Sequence, residues 1–144
     1  MIYNLYNALK GQISPLEGVT GVEWFKAQYE GTGGQDGHVY IEVMPLEVTP
    51  GSKSGRQTLV QVRLHVLTAD VSATGNGEGE PAVSSDVRLQ QNDALAQAVA
   101  EAVEGRRFPF GEGQTRPLEL SAWSFQHKFA GWLVSQVELT AKTV

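Results

Sequence analysis

Three histidines are the first residues to weigh, because His titrates near neutral pH and is the commonest metal ligand. His38 follows a glycine-rich stretch, His65 sits inside an alternating apolar run, and His127 lies in a polar interruption. No two of them have the i, i+4 spacing of a helical zinc site. Asp36 and His38 offer two ligands at most, and the glycines beside them read as a solvated loop. Gly51-Ser52-Lys53-Ser54-Gly55 has the outline of a nucleophile elbow. Lys53, however, holds the central place, and the segment joins two strands where an elbow needs a strand-to-helix turn. Gly75-Asn76-Gly77-Glu78-Gly79-Glu80 lacks the third glycine of a dinucleotide loop, and its glutamates would repel phosphate. No carboxylate pair stands in a context for acid–base work. The expectation is a non-enzyme with no catalytic, cofactor-binding or metal-ligating residue.

The aromatic residues are more informative. Trp24, Phe25 and Tyr29 fall in one extended run, Trp123 and Phe125 in another, and Trp132 opens a third. Strict alternation places Trp123 and Phe125 with Glu119 and Ser121, opposite Leu118, Leu120 and Ala122. If the leucine side meets the core, Trp123 and Phe125 form an exposed pair suited to a protein interface. A bulge near Gln126 would instead return them to the core.

The elements that must position these residues follow from periodicity. Residues 2–13 carry Ile2, Leu5, Tyr6, Leu9 and Ile13 at helical spacing and stop ahead of Pro15. A strand is expected over 19–30, with Val22 and Trp24 on one side and Glu23, Phe25, Ala27 and Tyr29 on the other. A glycine-rich loop follows at 31–37. Residues 39–48 form a second strand, which Pro45 makes an edge or bends. Across the turn composition of 49–56 comes the cleanest strand, 58–69, with Val60, Val62, Leu64 and Val66 facing one way and Gln61, Arg63 and His65 the other. A Gly-, Ser- and Glu-rich loop at 71–85 leads to a helix over 86–104, with Leu95, Ala98, Val99, Ala102 and Val103 as its buried stripe and Gly105 as its cap. Strands at 118–128 and 132–142 end the chain. A terminal strand of that length is paired in a sheet or offered to a partner. The order predicts an α+β fold, a mainly antiparallel sheet of about five strands with two helices on one face.

The bulk properties fit a single domain over residues 1–144, burying roughly 70% of its unfolded surface. The chain has no cysteine, so it has no disulfide framework or thiolate metal site. No basic start with an apolar run, and no membrane-length apolar stretch, is present. The expected compartment is the cytoplasm. A net charge of −5 disfavours gripping nucleic acid. The densest basic cluster, Arg106-Arg107, stands at a helix end where cations complement the dipole.

The opening helix Ile2-Tyr3-Asn4-Leu5-Tyr6-Asn7-Ala8-Leu9, the strand Leu59–Val66, the small-residue helix Asp93–Val103 and the ending Trp132–Thr140 together resemble the tail-terminator (tail-completion, head–tail joining) proteins of phages and prophages. The resemblance spans nearly the whole chain, although the loop at 71–85 is longer and richer in glycine than the family pattern. It implies a virion structural protein assembled in the host cytoplasm: a ring, commonly a hexamer, capping the tail tube and facing the head connector. DNA would pass through without specific binding, and no membrane or cofactor is involved. On that reading Lys53 and Arg56 on the hairpin loop, with Trp123 and Phe125, are the expected interface residues. Another neck or adaptor component is the nearest alternative. A small α+β enzyme or ligand-binding domain is the other, and would show a pocket with convergent polar groups and a perturbed His65 or His127.

Overall fold

The apolar stripe of the first helix closes onto a sheet. In the computed structural model α1 spans Ile2–Ile13, and Leu5, Leu9 and Ile13 are fully buried. Each such burial contributes about 1.5–3 kcal/mol. The structure describes residues 2–49, 57–70, 85–129 and 131–143, excepting the side chains of 45–49 and 57.

Five strands make the main sheet: β1 (Gly21–Trp24), β2 (His38–Thr49), β3 (Gln57–Ala69), β6 (Glu119–Gln126) and β7 (Trp132–Lys142), in the order β1-β2-β3-β7-β6. β1 runs parallel to β2; every other pairing is antiparallel. α1 and α2 (Ser85–Val103) cover one face, where they bury Val39, Ile41, Val60, Val62, Leu64, Val66, Val137 and Leu139. The fold is therefore α+β, as the pattern predicts. A two-stranded hairpin, β4 (Pro109–Phe110) with β5 (Gly113–Gln114), is an addition that periodicity did not indicate. Among the described residues, no helix is long and apolar enough to cross a membrane.

Two expectations need correction. The strand over 19–30 is only β1. Past Trp24, the Gln28 side chain accepts from Lys26 N at 2.7 Å and donates to Trp24 O at 2.8 Å, Ala27 turns left-handed (φ 57°), and Gln28–Glu30 wind into a 3₁₀ turn. Local side-chain bonding outcompetes the ladder. Phe25 and Tyr29 are thereby carried over the sheet's other face, where Tyr29 packs with Tyr40, Leu67 and Val134 as a second small core. Second, the buried stripe of α2 is Asn92, Ala96, Val99, Ala100 and Val103; Leu95, Ala98 and Ala102 are only half-buried. Asn92 fixes that rotation. Its Nδ2 donates to Val66 O (3.1 Å), Thr68 Oγ1 (3.0 Å) and Leu133 O (3.3 Å), and its Oδ1 accepts from Ser135 Oγ at 2.6 Å. The expectation for Pro45 holds at its own position: it lies beyond the β1 pairing, which ends at Ile41, and a register shift falls between Pro45 and Glu47. β2 is thus interior at its start and an edge where proline, lacking an N–H, can be tolerated.

The cap at Gly105 (φ 77°) is as expected, with its N–H bonded to Leu118 O at 2.8 Å. The glycine-rich 31–37 stretch is closely packed at two points. Gly34 lies under the Trp132 ring, and Gly37 (φ 76°) approaches Gly18 O so tightly that a Cβ there would stand 2.9 Å from it.

Candidate functional site

Trp123 and Phe125 stand on β6, an edge strand exposed along almost its full length. Neither reading of their direction is quite what the structure gives. A register shift between Leu120 and Ala122 leaves Ser121 bulged, so Leu120 pairs with Leu139 and Trp123 with Val137, both partners facing the helices. Trp123 and Phe125 consequently lie on the helix side, but the bulge responsible is at Ser121 and not near Gln126. They remain 39% and 41% exposed, because α2 packs over β3 and β7 and stops short of the β6 edge. The result is a groove of about 400 Å³ lined by Leu89, Gln90, Asn92, Asp93, Trp123, Phe125 and Ser135. Leu89 itself is 46% exposed.

The opposite edge carries a second apolar patch that sequence reasoning missed. Ile2, Tyr3 and Tyr6 of α1 surround Trp24 of β1, enclosing about 440 Å³. Tyr6 meets Trp24 edge-on, with ring centroids 5.6 Å apart, and Tyr3 is 74% exposed. The signal was available in outline. Tyr3 sits i, i+3 from Tyr6 and off the Leu5–Leu9 stripe, so it is an aromatic residue the core does not need.

On the helix-free face, polar side chains form a row across the sheet. Register aligns Tyr40 with His65 and Gln136, and Glu42 with Arg63 and Glu138. Arg63 Nε donates to Glu138 Oε1 at 2.6 Å, and its terminal nitrogen lies 3.4 Å from Glu42 Oε1. His65, 1% exposed, donates from Nε2 to Glu42 Oε1 at 2.9 Å. With the proton on Nε2, Nδ1 accepts from the Tyr29 hydroxyl (2.9 Å), whose oxygen accepts from Gln136 Nε2 (3.0 Å). Phe25 stacks flat on the imidazole at 3.8 Å. Burial lowers the His65 pKa against the opposing Glu42 hydrogen bond, and burial raises that of Tyr29. Carboxylate, imidazole and hydroxyl are in series, the order of a proton relay. Phe25 closes the imidazole face, Tyr29 is 3% exposed, and none of the grooves named here is lined by these residues. The network is a satisfied pin between the 25–30 turn and the sheet, and His65 lines none of the hollows described here.

A further hollow, about 540 Å³, lies elsewhere, between residues 16–20, Asp36–Gly37 and the Arg88–Ala98 side of α2. Arg88 approaches Asp36 Oδ2 at 3.6 Å, and its buried Nε has no hydrogen-bond partner. Asp36 is also engaged through Oδ1, which accepts from Ala69 N at 2.8 Å. His38 is buried against Gly21, its Nδ1 3.0 Å from Thr20 Oγ1, so Asp36 and His38 do not converge on a ligand. Among the described residues, no three His, Cys, Asp or Glu side chains stand together as a metal site. His127 is exposed beside Phe125. Lys53 and Arg56 lie outside the described residues.

No protein-family model matches this sequence, and no curated protein matches it. Solved structures do share its fold. One is a chain of the "Virion of native gene transfer agent (GTA) particle", aligned with a TM-score of 0.62 at 18% identity over 99% of this chain and 96% of that one. The two chains share a fold over nearly their full lengths.

Proposed function

We propose that this protein is a structural component of a phage-like virion, assembling as a homo-oligomeric ring, a hexamer, that caps the tail tube and joins it to the head. The observation that carries the reading is the full-length likeness of fold to a chain of a gene transfer agent virion. The surface agrees with it. A ring is a closed heterologous assembly, in which each subunit presents two different patches, and unlike apolar patches occupy the two edges of this sheet. A net charge of −5 suits a channel through which DNA slides without sticking.

Lys53 and Arg56 are further proposed contacts to a neighbouring subunit or to the tube. Reversing both charges is expected to weaken assembly or tube capping, and unchanged behaviour would remove them from the interface. The role itself is tested by electron microscopy of the protein mixed with tail tubes from its own particle. Rings with a central hole, seated on tube ends, are expected. Tubes with bare ends and no rings would overturn the capping role.

A further inference from the structure

We infer that successive copies meet edge to edge, with the α1–β1 patch of one copy seated in the α2–β6 groove of the next; the inference rests on the ring reading. The two surfaces lie on opposite edges of a five-stranded sheet. Four inter-strand spacings put them about 19 Å apart, too far to serve one partner side chain. One surface is a helix face from which Tyr3 projects; the other is a groove floored by Ser135 and walled by Leu89, Trp123 and Phe125. One pair of charges beside them is complementary. The one charged residue of α1 is Lys10, which stands by the Tyr6 ring, and the one charged residue lining the groove is Asp93. Asp93 Oδ2 accepts from Gln97, which leaves Oδ1 to take a lysine ammonium from outside. Each contact would remove one patch of either kind from water, and the pair would still present one of each to further copies. A two-fold contact would instead pair like with like, setting Lys10 against Lys10 or Asp93 against Asp93.

The chain's lack of cysteine makes this testable by site-specific cross-linking. Asn7, one helical turn after Tyr3, and Gln90, in the polar lining of the groove, are exposed, and replacing them leaves the apolar side chains intact. With a short thiol cross-linker, the N7C/Q90C protein is expected to give a ladder of covalent multimers. A mixture of N7C and Q90C proteins should stop at dimers, and neither variant alone should cross-link. Lys10→Asp and Asp93→Lys should each reduce assembly, and the two together should restore it. Dimers from either single variant, or an intact hexamer by light scattering without a ladder, would overturn this interface and leave the ring reading standing. A protein that is monomeric at every concentration and gives no ladder would overturn both.

Discussion

Leu120 and Trp123 point to the same side of the sheet although an odd number of positions separates them, because Ser121 bulges out of the β6–β7 ladder. One extra residue thus transfers Trp123 and Phe125 from the helix-free face to the helix side, where α2 covers them only in part. An edge strand with large apolar side chains and an open ladder is a surface that proteins normally cover.

Trp123→Ala and Phe125→Ala should therefore separate assembly from folding. Each is expected to lower monomer stability by about 1–2 kcal/mol, well short of the 3–5 kcal/mol of a core aromatic, while abolishing the oligomer. Denaturant melts read beside light scattering check this. Loss of stability on the scale of a core residue, with assembly retained, would place these rings in the fold and not at an interface.

Acidification should weaken the fold through His65. Burial holds its pKa below the ordinary 6.5, so just below pH 6.5 the unfolded chain binds more protons than the folded one. The contribution to stability is complete above 6.5 and is lost as pH falls from there through the folded-state value. Protonation would also put a second donor on Nδ1, reversing the bond from Tyr29. Melting temperature is expected to fall across that window in the native protein and to change less in His65→Gln, which starts lower by about 1–3 kcal/mol. Equal slopes in the two proteins would show that His65 does not titrate on unfolding.

Asn92 ties α2 to two strands through four hydrogen bonds. Asn92→Ala leaves two carbonyls and two hydroxyls short of a partner in the core, and an expected cost of about 2–4 kcal/mol follows. Asn92→Leu should not rescue it, because the deficit is polar. Urea unfolding measures both, and a loss below 1 kcal/mol would contradict the role given to Asn92.

Gly37→Ala tests the packing of the 31–37 stretch. A positive φ together with a Cβ 2.9 Å from Gly18 O predicts a loss of about 1–3 kcal/mol. Gly11→Ala on α1 meets nothing within 4 Å and should be neutral or slightly stabilising.

The elements whose side chains alternate or repeat without interruption were legible in the sequence. Residues 58–69 and 132–142 appear as β3 and β7 almost residue for residue, and the Leu5–Leu9–Ile13 stripe appears as α1. What escaped was set by single side chains acting across the fold. Gln28 ended β1 early, Asn92 rotated α2 away from its most apolar stripe, and Ser121 reversed the phase of β6. A buried asparagine looks polar in a periodicity count, and a bulge is invisible to it. The candidate surface was half visible for the same reason. Trp123 and Phe125 stood out as aromatic residues, but their groove depends on Leu89 and Asp93, which only the packing of α2 against β7 brings near. The Tyr29–His65–Glu42 series joins segments far apart in sequence, and no local spacing announces it.

The most direct measurement of the central claim is the mass of the purified protein by light scattering after size exclusion, across a wide concentration range. The ring account predicts a discrete hexamer of the 15.6 kDa chain, with its mass unchanged on dilution. A mass that remains at a single chain up to the highest soluble concentration would contradict it.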